Sequence, residues 1–295
     1  MGYDRTVLQL CTPVFAIMFS AWATNAHASC FVAGTQQPSM QTLAADRLLD
    51  GPSRALAKAL FDGRLDRAEK LLLANPGLAQ RRVRPVHDML SVAIATCRPQ
   101  ALALLVRHGA PLDGVEGEGL PLRLALRAKD PSLARLLLKA GARPTPPARP
   151  TGPLRTAITL NGLGQVRMLL DFGADPNAME ATGNRPLHIA LDMEHFAIAE
   201  LLLDRGADPW AIDSGGANLA SSATLAIVTA SPAEASAQRR LVERVRKLGW
   251  PDPAPSPAQI RALALRGAWP PARAQAAGAA AVPAAVLAII SANAR

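Results

Sequence analysis

A Leu-Leu pair followed four residues later by Gly-Ala recurs along the middle of this chain. It runs Leu104-Leu105…Gly109-Ala110, Leu136-Leu137…Gly141-Ala142, Met168-Leu169…Gly173-Ala174 and Leu201-Leu202…Gly206-Ala207, with the glycines stepping by 32, 32 and 33 residues. A fixed period in this range specifies a solenoid of stacked copies of one small unit, each touching only its neighbours. Length alone would suggest two globular domains, but the repeat overrides that reading. It also shifts the functional expectation, because a stack offers a partner an extended surface, whereas chemistry normally needs a convergent pocket.

A second anchor keeps the same register. Pro186-Leu187-His188-Ile189-Ala190 has counterparts in Pro153-Leu154-Arg155-Thr156-Ala157, Pro121-Leu122-Arg123-Leu124-Ala125 and, in worn form, Met89-Leu90-Ser91-Val92-Ala93. With both anchors in place the chain resembles the ankyrin-repeat family, whose signature is Thr-Pro-Leu-His-x-Ala followed by Leu-Leu and Gly-Ala-Asp. Its fullest copy runs from Arg185-Pro186-Leu187-His188 to Gly206-Ala207-Asp208-Pro209. The departures are the family's Thr, replaced by Arg185, Gly152, Leu120 and Asp88, and its His, kept only at His188. The resemblance implies an all-α solenoid of helix-turn-helix units joined by short turn fingers.

The physics of one unit explains the pattern. Proline suits the first turn of a helix, where its missing N–H has no intrahelical partner to lose. The small Ala93, Ala125, Ala157 and Ala190 let the first helix lie close to its neighbour. The second helix spaces its apolar residues helically, as in Phe196, Ile198, Ala199, Leu201 and Leu202. Glycine then takes the left-handed conformation that satisfies the last carbonyls. No such unit buries its apolar face alone, so at least three must stack.

The outer units are less regular, as terminal repeats with one solvent face should be. Leu56 to Leu73 reads as an opening unit, and a sixth begins near Gly215-Gly216-Ala217-Asn218-Leu219 and closes at Leu248-Gly249. The expected organisation is a signal peptide over 1–28, an N-terminal segment over 29–51, about six repeats over 52–255, and a capping helix with an Ala-rich tail over 256–295. Arg5, an apolar run from Val7 to Phe19 and the small residues of Ala26-His27-Ala28 give the layout of a secretory signal. The run is shorter than the ~20 residues a spanning helix needs. Cleavage after Ala28, release into a bacterial periplasm and a soluble monomer are therefore expected. An uncleaved anchor and lipidation of Cys30 stay open as alternatives.

After cleavage the chain would hold Cys30 and Cys97. Two cysteines in an oxidising compartment commonly pair, and the alternative is two separate thiols. No Cys-x-x-Cys is present, so neither a redox motif nor a cysteine-ligated zinc site is indicated. The net charge of +9 is concentrated late, in Arg239, Arg240, Arg244, Arg246, Lys247, Arg261, Arg266, Arg273 and Arg295. Such an end could meet an acidic partner or be a solvated helix face. Nucleic acid is not expected of an exported chain without aromatic interleaving. Ala274 to Ala294 is uncharged but mostly alanine, broken by Gly278 and Pro283. Val286, Leu287, Ile289 and Ile290 read as one docking helix, or as a loosely ordered end, rather than a membrane span.

Motifs for chemistry are missing: there is no Gly-x-Ser-x-Gly, Walker loop or His-Glu-x-x-His. His87, His108, His188 and His195 fall at different repeat positions, and His188 occupies the family's structural position. No catalytic residue, metal or cofactor is assigned. The expectation is a non-enzymatic protein-interaction module; a helper delivering a factor to an envelope or oxidative-stress enzyme is the alternative, by analogy alone. In the resembled family the turn tips and the exposed side of the first helix form a concave binding face. Carried over by register, the candidates are Arg149, Thr151, Thr159, Leu160, Thr182, Asn184, Asp192, Met193 and Trp210. Trp210 stands where the family usually has Asn, and reads either as an interface aromatic or as a residue packed on the next turn.

Overall fold

A computed structural model describes residues 30–32, 35, 50–84, 87–114, 119–225 and 231–293. The signal peptide expected over 1–28 lies outside the described residues. Twelve helices form six antiparallel pairs. They are α1 (Gly51–Phe61) with α2 (Leu65–Ala74), α3 (Met89–Ala95) with α4 (Pro99–Arg107), α5 (Leu120–Ala125) with α6 (Ser132–Lys139), α7 (Gly152–Thr159) with α8 (Leu163–Asp171), α9 (Pro186–Asp192) with α10 (Phe196–Asp204), and α11 (Leu219–Thr224) with α12 (Pro232–Leu248). The odd-numbered helices stack into one layer and the even-numbered ones pack outside them. A short antiparallel ladder of β1 (Arg82–Arg84) and β2 (His87–Asp88) makes the first finger. Three helices follow the stack: α13 (Pro257–Leu265), α14 (Ala272–Ala276) and α15 (Ala284–Asn293).

The sequence anchors have the physical roles their residue types dictate. Pro121, Pro153 and Pro186 open α5, α7 and α9, and the alanines behind them are fully buried between inner helices. Leu105, Leu137, Leu169 and Leu202 are all fully buried, in one core cluster that runs through every repeat. Gly109, Gly141, Gly173, Gly206 and Gly249 all adopt positive φ after the outer helices, the conformation that ends a helix most cheaply without a Cβ.

Neighbouring repeats are tied by a register-repeated hydrogen bond. The residue four past each of these glycines accepts, through its side-chain oxygen, the N–H of the residue two past the next glycine. Arg143 donates to Asp113 Oδ1 at 2.8 Å, Asp175 to Thr145 Oγ1 at 2.9 Å, and Asp208 to Asn177 Oδ1 at 2.8 Å. The next step has no donor, because the position two past Gly249 is Pro251, which lacks an N–H. There the acceptor position is Trp210, which stacks on Trp250 with ring centroids 4.6 Å apart and planes 7° from parallel. Aromatic packing replaces the polar tie where the polar tie is impossible.

Both ends of the chain fold back on the stack. A disulfide joins Cys30 to Cys97 in the turn between α3 and α4, with Cα atoms 6.4 Å apart. Phe31, buried, bridges to Ala128 in the turn of the third repeat, where Val32 N–H donates to Arg127 and Lys129 N–H to Cys30. At the other end Trp269 packs edge-on against Trp210 and donates Nε1–H to its carbonyl at 3.1 Å. Of the apolar residues of α15, Val286 and Ile290 are buried and Leu287 and Ile289 half-buried. Among the described residues no helix is long and apolar enough to cross a membrane.

Candidate partner-binding surface

The inner helices and fingers carry the candidate surface, and the structure divides the sequence-derived residues between its two edges. Arg149 and Thr151 lie in the finger that enters α7, and Thr182 and Asn184 in the finger that enters α9. Thr159 and Leu160 end α7, and Asp192 and Met193 end α9. An eight-residue helix is about 12 Å long at ~1.5 Å per residue, so the two groups bracket one face of the inner-helix layer. Leu160 is half-buried, while Thr159, Asp192 and Met193 are exposed, Met193 at 38%. Partial desolvation raises the Asp192 carboxyl above its usual range, with Asp213 adding to the rise and the charge of Arg155 opposing it.

Four expected contact residues have partners within the fold, and of these Thr182 alone stays exposed. Trp210 is not on the surface: it is 5% exposed, enclosed by Trp250 and Trp269. The sequence register placed it on a finger, but residues 40 and more positions later bury it. Thr151 is 1% exposed and acts on its neighbours, its hydroxyl donating to Glu180 Oε1 at 2.6 Å. Thr182 and Asn184 flank Gly183, and a Cβ built on Gly183 would come within 2.7 Å of Val286 of α15. The carbonyl of Thr182 is also taken by Ser214 N–H from the next finger. The chain's own C-terminal helix therefore sits on this fingertip.

The finger entering α7 is open and forms one wall of a cleft of about 390 Å³ lined by Arg123, Arg149, Thr151, Arg155, Met179 and Glu180, among others. Arg155 Nε and Nη2 both reach Glu180 Oε1, at 2.8 and 2.7 Å. Burial resists ionisation of Glu180, but the hydrogen bonds from Thr151 and Arg155 and the charges of Arg155 and Arg149 outweigh it and hold its carboxyl below the ordinary glutamate range. Arg123 and Arg155 stand in the register of His188, two residues past the proline near the start of each inner helix. His188 is buried, with Nδ1 accepting Arg185 N–H at 3.2 Å and Nε2 donating to the Ala211 carbonyl of the following finger at 3.1 Å. At Arg155, where arginine replaces histidine, the longer side chain reaches past that carbonyl register to Glu180 instead. The sequence showed both substitutions as losses from the family pattern; neither they nor Glu180 were read as a site.

Four of the cations at the basic end pair with carboxylates within the fold. Arg240 pairs with Glu200 and Arg244 with Asp204, both across to α10, while Arg246 and Lys247 face Glu243 along α12. Arg261 donates to the Gly215 carbonyl. Glu234 accepts Ala197 N–H at 3.0 Å at the start of α10, where negative charge is favoured by the helix dipole. The histidines are dispersed: His108 caps α4 beside Glu69, His188 is interior, and His195 precedes α10.

The fold and its two sequence anchors define a class, the ankyrin-repeat proteins. The family model for ankyrin repeats (many copies) matches residues 154–203. The chain also resembles the crystal structure of the ankyrin repeat domain of Bcl-3, a member of the IkappaB protein family. That match has a TM-score of 0.52 and 20% identity, and covers 80% of this chain and 97% of that one. No curated protein matches the sequence. Residues 154–203 are ankyrin repeats, the stack that contains them has the ankyrin-repeat fold, and such repeats are protein-interaction modules.

Proposed function

We propose that this protein is an exported, non-enzymatic scaffold that binds one protein partner on the concave face of its third to fifth repeats. The observation that carries the reading is the distribution of cover. The fingertip at Gly183 is occupied by α15, whereas the Arg149 finger and the helix ends at Thr159, Leu160, Asp192 and Met193 face solvent or are half-buried. The accessible part of the face is therefore its middle. A periplasmic address after cleavage behind Ala28 is supported by the disulfide, since such bonds persist in oxidising compartments. A Cys30 sulfur engaged with Cys97 is also not available for a lipid thioether.

Two measurements test this. Leu160→Arg and Met193→Asp, on exposed or half-buried helix ends, should leave far-UV circular dichroism unchanged and weaken partner affinity by about thirtyfold if they sit at an interface hot spot. Unchanged affinity in the double variant removes the concave-face reading. The intact mass of the fractionated protein should begin at Ser29; a chain retaining Met1 in the membrane fraction would refute the soluble periplasmic assignment.

A further inference from the structure

We infer that the turn edge of the fourth to sixth repeats seats an extended segment of the partner, with one large apolar side chain of that segment packed among Leu160, Leu163 and Met193. The inference rests on the concave-face reading and specifies what that end of the face recognises. Its ground is that the chain already binds such a segment one repeat earlier. Residues 30–32 lie antiparallel to the turn of the third repeat: Phe31 bridges Ala128 and is buried, and Val32 N–H donates to the Arg127 carbonyl at 2.9 Å. Arg127 and Ala128 stand six and seven residues past Pro121. Thr159 and Leu160 stand at the same distances from Pro153, and Asp192 and Met193 from Pro186.

In these later copies the same seat faces outward. Among the described residues no group donates to the Thr159 or Asp192 carbonyl. The bridging position, a small Ala128 beneath the N-terminal segment, becomes Leu160, half-buried, then Met193, 38% exposed, and in the sixth repeat Leu225, 68% exposed. Leu163, in the same turn as Leu160, is 37% exposed. Of the five large apolar side chains that the described residues expose, three therefore lie on this one edge, a grouping that marks a contact surface, unlike apolar residues scattered singly. The third repeat differs in one respect. Its inner helix stops at Ala125, and Lys129 N–H donates to the Cys30 carbonyl, whereas the N–H groups of Asn161 and Glu194 are taken by Ile158 and Leu191. The later turns offer an acceptor alone, so a docked segment is held by one main-chain bond at a turn and by its apolar side chain. That division of labour is the one strand addition uses. A helix is poorly suited to the same seat, because its N–H groups are satisfied internally past the first turn.

The test uses the full mature chain and three end-capped heptapeptides: residues 29–35 carrying Cys30→Ser, the same peptide with Phe31→Ala, and the same peptide methylated on the Val32 nitrogen. Amide chemical shifts locate binding and a titration measures it. The first peptide should shift the amides of residues 159–163 and 192–195. Phe31→Ala should weaken it at least about tenfold, for the loss of a buried aromatic, and methylation about two- to tenfold, for the loss of one hydrogen bond. In the protein, Leu163→Gln should weaken the first peptide, while Leu265→Gln, at an exposed leucine of α13, should leave it unchanged. Shifts confined to residues 127–129 would assign exchange with the N-terminal segment, and shifts that grow with protein concentration alone would assign a second copy of this chain; either overturns the inference, as does binding indifferent to Phe31 and to methylation. If no peptide binds while Leu160→Arg and Met193→Asp still abolish partner capture, the extended-segment inference falls and the concave-face reading survives. If the first peptide binds at this edge and those variants leave capture intact, the edge stands and the reading of the face falls.

Discussion

One register position, two residues past the proline of the inner helix, separates structural from exposed roles in this stack. At His188 the ring is buried and neutral: desolvation is the largest influence and lowers its pKa below 6.5, against the opposing Ala211 hydrogen bond and the charges of Asp213 and Asp192. The unfolded chain, with its ordinary histidine, then binds more protons between the folded value and 6.5. Stability contributed by this group is full above that window and is lost as pH falls through it. His188→Gln should cost about 1–3 kcal/mol at pH 7, because it strands a buried carbonyl and N–H. It should also flatten the decline in stability between pH 7 and 5. Some slope will persist from His195, whose pKa desolvation also lowers, against the pull of Glu234. Chemical denaturation at several pH values decides this, and parallel curves for wild type and variant would show that His188 does not titrate in the transition. The sequence made this histidine legible because the family motif survives around it. The pairing of Arg155 was illegible because a repeat pattern scores a changed residue only as a missing match, whereas its partner, Glu180, lies 25 residues further on.

At the scale of elements, the helix pairs were legible because each repeats the same local grammar of proline, alanine, Leu-Leu and glycine. What the pattern could not supply is the packing of the non-repeating N-terminal segment. The short turns into α4, α8 and α10 place a non-glycine residue at positive φ, namely Cys97, Asn161 and Glu194. The third repeat has a longer turn, and there the backbone of Arg127 and Lys129 pairs with Val32 and Cys30 instead. The segment thus crosses from the second repeat, where it is covalently held, to the third, where Phe31 enters the core. Replacing both Cys30 and Cys97 by serine should destabilise the protein by about 2–4 kcal/mol for a bond closing residues 67 apart. Protection of the Val32 and Lys129 amides from hydrogen exchange should fall further than that of α8 or α10. Equal loss everywhere would mean that the segment is not a separable strap but part of the nucleus of the stack.

For the whole molecule, the stack ends where its hydrogen-bond ladder meets Pro251, and three tryptophans close it. This junction was only half legible. The sequence showed Trp210 in a position the family gives to asparagine, but Trp250 and Trp269 are 40 and 59 residues away, and no local rule connects them. The consequence is that residues 250–293 return over the fingers of the last repeats, with α15 seated on Gly183 and α13 on Gly216, where an added Cβ would meet the Pro257 carbonyl. Stability in a solenoid is nearly a sum of local units and neighbour contacts, so this cover should detach without dissolving the stack. Leu169→Ala sets the scale for damage inside the stack: a fully buried leucine in the fourth repeat should cost about 2–5 kcal/mol and weaken the third and fifth repeats with it. Val286→Asp would instead place a charge in the socket against Gly183, which a buried site tolerates only when it is paired. Proteolysis should then clip the variant in the Pro251–Pro255 stretch, hydrogen exchange should quicken at Thr182 and Asn184, and the main unfolding midpoint should stay close to wild type. A midpoint lowered as far as that of Leu169→Ala would show that the C-terminal helices are structural members of the stack and not a cover over part of its binding face.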